Sequence, residues 1–166
     1  LFKMKNIIVT GGAGYIGSHT VIELHKAGFK PIIIDNLCNS SINNIQGIEK
    51  IIGKKITWYN IDCTDKIKMH KIFLKEKNIQ ATIHFAAYKS VEESVIKPEK
   101  YYKNNVESLK ILLECMQENN VNHIIFSSSC TVYGMPEILP VNENAPFKKA
   151  ESPYGETKLL CEKILL

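Results

Sequence analysis

The sequence predicts an α/β fold built on a doubly wound parallel β-sheet. Two observations support this: short apolar runs alternate with segments of helical periodicity, and a glycine-rich turn joins the first apolar run to the first helical segment. Strands separated by helix-length segments form βαβ units, whose sheet is parallel and whose crossovers are right-handed.

The elements follow one another in strict alternation. The first strand is the apolar run that enters the glycine turn, and the first helix is the amphipathic segment that leaves it; each later apolar run is followed by another helical pattern. Predicted strands cover residues 6–10, 31–35, 56–61, 81–85 and 122–127, and predicted helices cover residues 14–27, 42–52, 66–77, 98–119 and 153 to the end.

Residues 135–152 form a long predicted loop after the fifth strand. The segment and its border carry Pro136, Pro140, Pro146 and Pro153, and it has no helical period. Loops of this length inside compact domains are often functional.

Length and composition indicate one globular domain or a piece of one. The chain has 166 residues, of which 45% are hydrophobic and 23% charged. No apolar run approaches the ~18 residues of a membrane-spanning helix, and no secretory leader is visible. These features predict a cytoplasmic protein without membrane contact. Met4, preceded by three residues, is a candidate natural start.

The charged and sulfur-containing residues exclude several classes of partner. All 21 basic residues are lysines spread along the chain, and a net charge of +4 in this form does not indicate nucleic-acid binding. Without arginine, the chain has no side chain that can fork two hydrogen bonds onto a substrate phosphate. Five cysteines lack C-x-x-C spacing and five histidines lack a ligand pattern, which predicts a reduced, metal-free intracellular protein.

The glycine turn predicts a dinucleotide site. Gly12-x-Gly14-x-x-Gly17 fits one dinucleotide spacing, and Gly11-x-x-Gly14-x-x-Gly17 fits another. In either arrangement the backbone can approach a pyrophosphate at a helix N-terminus, where N–H groups and the helix dipole favour anions. Asp35 closes the second strand; its carboxylate can accept from ribose hydroxyls and repels a 2′-phosphate, so NAD is favoured over NADP.

Tyr154 and Lys158 are candidates for acid–base chemistry. They lie four residues apart on one face of the last predicted helix. Tyrosine titrates near 10 in water, and a cation one turn away favours its ionised form, which gives a base closer to neutral pH. A Tyr-x-x-x-Lys match is weak alone, but here it follows a glycine turn and a serine run in the order that a dinucleotide-dependent enzyme needs.

Together these segments resemble the extended short-chain dehydrogenase/reductase family, and within it most closely the UDP-glucose 4-epimerases. The similarity spans nearly the whole chain in the family's order. It is carried by segments 10–20 (TGGAGYIGSHT), 35–40 (DNLCNS), 84–94 (HFAAYKSVEES), 101–106 (YYKNNV), 127–134 (SSSCTVYG) and 152–158 (SPYGETK).

The resemblance implies a Rossmann-type domain that binds NAD, and it assigns residues to roles. Those implied to bind the cofactor are Gly11, Gly14, Tyr15, Ile16, Gly17, Asp35, Asn36, Asn39, Ser40, Asp62, Cys63, Phe85, Ala86, Ala87, Lys89, Asn104, Tyr154 and Lys158. Ser129, Tyr154 and Lys158 are implied to be catalytic, and Lys89, Ser129 and Tyr154 to contact substrate. The family usually has glycine at Ala87, isoleucine or a similar residue at Cys63 and alanine at Cys130, which are small departures.

Length is the larger departure, because chains of this family are longer. We therefore expect residues 1–166 to be an incomplete NAD-binding Rossmann domain whose sheet stops before its last strands, with the C-terminal substrate domain absent. The chain by itself is expected to lack turnover. The resemblance also implies a homodimer of the full-length protein, paired through the helices that begin at Pro98 and Pro153.

The chemistry predicted is 4-epimerisation of a UDP-sugar. Related dehydratases carry an Asp-Glu pair at the positions of Cys130 and Thr131, and without those acids elimination is chemically unsupported. Reversible hydride transfer at C4 remains, interconverting UDP-glucose and UDP-galactose. Two alternatives stay open: an epimerase of UDP-N-acetylhexosamines or uronic acids, and a non-catalytic dinucleotide-binding module.

Overall fold

A computed structural model describes residues 5–166, so the candidate start at Met4 lies outside the described residues. The chain forms two compact units. The sheet unit runs to Ala86 and includes Lys110–Ser127, and the helical unit comprises Ala87–Leu109 and Ser128–Leu166. The single NAD-binding domain over residues 1–166 stays a prediction.

Strands and helices alternate as the sequence predicts up to the fourth strand, and three α-helices then separate it from the fifth. The strands are β1 (Asn6–Thr10), β2 (Lys30–Ile34), β3 (Thr57–Tyr59), β4 (Ile79–His84) and β5 (Ile124–Phe126). The helices are α1 (Tyr15–Lys26), α2 (Ile42–Ile52), α3 (Lys66–Lys75), α4 (Val91–Ile96), α5 (Pro98–Tyr101), α6 (Glu107–Glu118) and α7 (Pro153–Leu165).

The sheet is parallel, with strand order β3-β2-β1-β4-β5. Thr10 pairs with Ile34 on one side and with His84 on the other, so the carboxyl ends of β1, β2 and β4 are level. The order reverses between β1 and β4, and ligands of open α/β sheets bind at such a switch point. The segments that follow these three strands therefore meet at that edge.

Alternate residues of the central strands pack against different helices. Ile8, Ile32 and Ile34 join α3 and α6 in one cluster of buried side chains. Ile7, Val9 and Ile33 join α1 and α2 in a second cluster. Because successive strand residues point to opposite faces, helices cover both faces of the sheet, which confirms the predicted α/β Rossmann-type fold.

The helical unit departs most from the prediction. The expected continuous helix over 98–119 consists of α5, a wider π-helical turn (Tyr102–Val106) and α6. Helix α4 was not predicted, although Ser90 caps it by accepting from the backbone N–H of Glu93 at 3.2 Å. A single 3₁₀ turn (Cys130–Tyr133) follows β5. The proline-rich segment 135–152 contains neither helix nor strand, as predicted.

Helix α7 begins where the sequence predicts it. Ser152 is its N-cap and accepts from the backbone N–H of Gly155 at 3.1 Å, and Pro153 occupies the first turn, where its missing N–H is not needed. This start places Tyr154 in the first turn and Lys158 one turn later. Across residues 5–166, none of the helices has the length and apolar character needed to span a membrane.

Candidate functional site

The backbone of the glycine turn after β1 is packed too closely for side chains at Gly11 and Gly17. Gly11 has φ +68°, a left-handed conformation, and a Cβ atom there would lie 2.8 Å from the backbone nitrogen of Ala86. A Cβ atom on Gly17 would overlap the carbonyl oxygen of Gly11. The turn is closed by the Gly14 N–H, which donates to that same carbonyl at 3.0 Å. Two of the predicted glycines thus serve close backbone packing.

Helix α1 presents its N-terminus at this turn. Gly14 is the N-cap and brings no side chain to the first turn of the helix. Tyr15 and Ile16, which follow in the first turn, are 81% and 60% exposed. The first N–H groups of a helix have no acceptor within it, and the dipole there favours an anion.

Asp35 ties the second strand to the glycine turn. One carboxylate oxygen accepts from the backbone N–H of Ala13 at 3.0 Å. The other accepts from the Leu37 N–H at 2.9 Å and from the Ser40 hydroxyl at 2.8 Å. A carboxylate offers about four acceptor positions, so these three bonds leave roughly one for a ligand. Asp35 is therefore both part of the turn and a candidate ligand contact.

The sheet unit holds a second carboxylate with several hydrogen-bond partners, Asp62. Asn36 donates from its amide to Asp62 at 2.9 Å, and Asp62 also accepts from the backbone and hydroxyl of Thr64. Burial opposes ionisation of Asp62, but the hydrogen bonds from Thr64 and Asn36 outweigh it and hold its pKa below the ordinary value. Burial raises the pKa of the neighbouring Cys63 thiol, which is therefore neutral. Asn39 is exposed.

The end of β4 is joined to the end of β1. The hydroxyl of Thr10 and Nδ1 of His84 lie 2.7 Å apart, and both residues are buried. The Phe85 N–H donates to the carbonyl of Thr10 at 3.0 Å. These bonds position Phe85 and Ala86, both half-buried, against the glycine turn.

The remaining predicted residues belong to the helical unit: Ala87, Lys89, Asn104, Ser129, Tyr154 and Lys158. Ala87 and Asn104 are half-buried, and Lys89 is exposed. The structure thus groups the glycine turn, Asp35, Asn36 and Asp62 in one unit and the proposed catalytic residues in the other.

Asn105 organises the helical unit and was missed by sequence reasoning. Its buried side chain accepts from the Tyr88 N–H at 2.8 Å and donates to the Tyr88 carbonyl at 3.0 Å. It also donates to the hydroxyl of Thr157 at 3.2 Å. Asn105 therefore connects the π-helical turn with the segment that carries Lys89 and with α7. A lone asparagine in an amphipathic helical pattern gives no periodic signal of such a role.

Lys158 occupies an unusual environment on α7. The side chain is 3% exposed, and burial lowers its pKa to about 8, although Cys161 and Glu162 oppose the shift. Tyr154, one turn earlier, is half-buried. A buried lysine with a lowered pKa in a functional segment is a candidate for a chemical role.

Ser129 caps the 3₁₀ turn after β5. Its hydroxyl oxygen accepts from the backbone N–H of Thr131 at 3.3 Å and from the Thr131 hydroxyl at 2.9 Å. Ser129 therefore has a structural role as the cap of this turn. It does not exclude a chemical role, because accepting uses the lone pairs of the oxygen and not its proton.

Two further observations bear on ligands. The hydroxyl of Ser128 is buried and has no hydrogen-bond partner among residues 5–166; buried hydroxyls are normally satisfied. No group of three or more His, Cys, Asp or Glu side chains within the same residues is arranged to hold a metal ion.

Comparison with known proteins assigns the chain to a family. The sequence profile of the NAD dependent epimerase/dehydratase family matches residues 7–166. The UDP-glucose 4-epimerase of Bacillus subtilis is 48% identical over 159 residues, covering 96% of this chain and 46% of that protein. The Drosophila melanogaster UDP-glucose 4-epimerase is 46% identical over 165 residues, covering 96% of this chain and 47% of the relative.

Solved structures agree with the sequence relatives. The structure of UDP-glucose 4-epimerase from Bifidobacterium longum in complex with NAD⁺ and UDP matches with a TM-score of 0.94 at 46% identity, over 97% of this chain and 48% of that one. The UDP-Glc/GlcNAc 4-epimerase from Campylobacter jejuni matches with a TM-score of 0.91 at 35% identity, over the same 97% of this chain and 48% of its own. The chain spans about half the length of the curated relatives it matches.

Proposed function

We propose, from the premise that this chain belongs to the NAD dependent epimerase/dehydratase family, that it is the dinucleotide-binding part of a UDP-glucose 4-epimerase. The whole enzyme interconverts UDP-glucose and UDP-galactose by transient oxidation at C4 of the sugar. One observation carries the proposal: Tyr154 lies one helical turn before a buried Lys158 whose pKa is about 8, in the unit that also holds Ser129.

The donor and acceptor groups of the sheet unit suit NAD. Backbone N–H groups at the start of α1 suit a pyrophosphate, and Asp35 keeps roughly one acceptor position for a ribose hydroxyl. A 2′-phosphate beside this carboxylate is repelled, which favours NAD over NADP. When bound, NAD supplies the acceptor and donor of the C4 hydride. The proposed binding residues are those that the resemblance assigned.

Residues of the helical unit remove the proton of the sugar 4-hydroxyl and later return it. Tyr154 takes this proton, and a charged Lys158 favours the ionised tyrosine that can do so. Ser129 donates a hydrogen bond to the sugar O4, where negative charge develops as the proton leaves. Return of the proton from Tyr154 to O4 completes the cycle, because a base in one direction is an acid in the other.

Elimination has no support in this set of residues. Cys130 and Thr131 follow Ser129 in the 3₁₀ turn, and neither can protonate a leaving hydroxyl as a carboxylic acid does. The proposed reaction therefore leaves the sugar carbons and oxygens in place and inverts a single centre.

The proposed partners are a UDP-sugar and a second copy of the full-length protein, in the cytoplasm. Support for the homodimer is the resemblance alone, which pairs the helices that begin at Pro98 and Pro153. Light scattering on the full-length protein gives its mass in solution, and a monomeric mass would contradict the homodimer without affecting the epimerase proposal.

The test is an assay of the full-length protein with UDP-galactose, UDP-N-acetylgalactosamine and UDP-glucuronic acid as separate substrates. We expect turnover of UDP-galactose, and loss of nearly all of it in Tyr154→Phe while NAD stays bound. Turnover of UDP-N-acetylgalactosamine or UDP-glucuronic acid without turnover of UDP-galactose would indicate a related epimerase instead. No turnover, with NAD bound, would identify a non-catalytic dinucleotide-binding module.

A further inference from the structure

Two hydrogen bonds join Thr131 to the hydroxyl oxygen of Ser129. Both the backbone N–H and the hydroxyl of Thr131 donate to the oxygen of Ser129, at 3.3 and 2.9 Å. A serine hydroxyl has one proton to donate and two lone pairs that accept. In the arrangement in which both groups of Thr131 donate, they engage the lone pairs of the Ser129 oxygen, and Ser129 then offers its proton to a third group.

Thr131 is itself held by helix α7. A Cβ atom on Gly155 would lie 3.2 Å from both Cβ and Oγ1 of Thr131, so the helix backbone packs closely on this side chain. Gly155 is anchored by the bond from its N–H to the Ser152 hydroxyl. A β-branched side chain has restricted χ1 rotation, and close packing restricts it further. The hydroxyl oxygen of Thr131 is therefore held in place beside Ser129.

We propose that Thr131 is a positioning residue that makes Ser129 a hydrogen-bond donor to the reacting sugar oxygen. This inference rests on the proposed function. Without the Thr131 hydroxyl, Ser129 can rotate and turn a lone pair toward O4, where it would repel the developing negative charge. With it, the donor is already oriented before the charge appears, which is the condition for effective electrostatic stabilisation.

The proposal also assigns a role to Gly155, the glycine that follows Tyr154. Because Gly155 packs on Thr131, the helix that carries the proposed base also holds the side chain that bonds to Ser129. The proposed base and the proposed donor to O4 are thus linked through one short path, Gly155 to Thr131 to Ser129.

The test uses four variants of the full-length enzyme: Thr131→Val, Thr131→Ser, Ser129→Ala and the Ser129→Ala/Thr131→Val pair. Valine keeps the branched shape that packs on Gly155 and removes the hydroxyl. We expect Thr131→Val to lower kcat about tenfold, the rate equivalent of one hydrogen bond. KM and the calorimetric Kd for UDP-galactose should change less than about twofold. Thr131→Ser should recover most of kcat.

The Ser129→Ala/Thr131→Val double variant distinguishes a positioning role of Thr131 from a general structural role. If Thr131 acts through Ser129, Thr131→Val adds no further loss in the Ser129→Ala background. An equal loss in both backgrounds, or wild-type kcat in Thr131→Val, would overturn the inference while leaving the epimerase intact. A wild-type enzyme without UDP-galactose turnover would instead overturn the proposed function and this inference with it.

Discussion

The side-chain amide of Asn105 donates to the hydroxyl of Thr157 at 3.2 Å, while the same side chain bonds both backbone polar groups of Tyr88. Thr157 lies between Tyr154 and Lys158 on α7, and its own hydroxyl donates to the carbonyl of Tyr154 at 2.7 Å. One buried amide thus sets the position of the helix that carries the proposed base.

Asn105→Ala should destabilise the full-length protein by about 3 kcal/mol, because it removes three hydrogen bonds, two to the backbone of Tyr88 and one to the Thr157 hydroxyl. Asn104→Ala is the matched control, since Asn104 makes one bond to the Asn105 side chain, and it should cost less than about 1 kcal/mol. Urea unfolding measures both. Equal losses of unfolding free energy in the two variants would show that the Asn105 side chain stabilises the protein no more than that of Asn104.

Gly17→Ala should abolish NAD binding, because the added Cβ atom would overlap the Gly11 carbonyl and displace the turn. Gly47→Ala is the control within another helix: a Cβ atom there has nothing within 4 Å, and replacing a helical glycine stabilises by up to about 1 kcal/mol. Calorimetric titration with NAD and thermal unfolding distinguish the two. Normal NAD affinity in Gly17→Ala would contradict the role of the turn.

Asp35→Ala should weaken NAD binding and reduce the preference for NAD over NADP. The loss has two origins, since the variant removes a ligand contact and also the acceptor of the Ala13 N–H in the glycine turn. We expect NAD affinity to fall at least about tenfold, with NADP affinity changing less. Glu143→Ala, at an exposed position of the other unit, should change neither. An unchanged ratio of NAD affinity to NADP affinity would show that Asp35 does not determine the preference for NAD.

Lys158→Met should stabilise the NAD-free protein and abolish turnover. The pKa of Lys158 is about 8 in the fold against an ordinary 10.5, so between these values the unfolded chain binds more protons. Wild-type stability therefore rises with pH across this window, and the charged lysine costs about 3 kcal/mol below it. The advantage of Lys158→Met should shrink as pH rises from 8 to 10.5.

Lys163→Met is the control for that pH dependence, because Lys163 is an exposed residue of the same helix. In thermal unfolding at a series of pH values, the stability of Lys163→Met should differ from that of wild type by no more than a few tenths of a kcal/mol. A pH-independent difference between Lys158→Met and wild type would mean that Lys158 is not buried as an ammonium group with a lowered pKa.

Strong periodic patterns made much of the sheet unit predictable. The apolar runs around β1 and the amphipathic pattern of α2 gave their observed bounds, Asn6–Thr10 and Ile42–Ile52. Strand β3 is shorter than predicted, at Thr57–Tyr59 instead of 56–61, because only these residues pair with β2. Backbone pairing depends on a neighbouring strand, which residue-by-residue patterns do not contain.

The helical unit was less predictable because tertiary hydrogen bonds decide its shape. The π-helical turn at Tyr102–Val106 holds Asn105, whose partners come from distant parts of the chain. Helix α4 did have a local signal, because Ser90 and Glu93 have the spacing of a capping box. Thr131 had none, since its role depends on a glycine of α7 packing against it.

The opposite orientations of Ile8 and Val9 make these two neighbours a pair of spectroscopic probes. Both are fully buried in β1, yet Ile8 contacts the layer of α3 and α6 while Val9 contacts that of α1 and α2. Isotope-labelled methyl groups at the two positions would report on the two helix layers separately. Loosening of α1, which begins at the glycine turn, would broaden the Val9 resonances and leave those of Ile8 sharp.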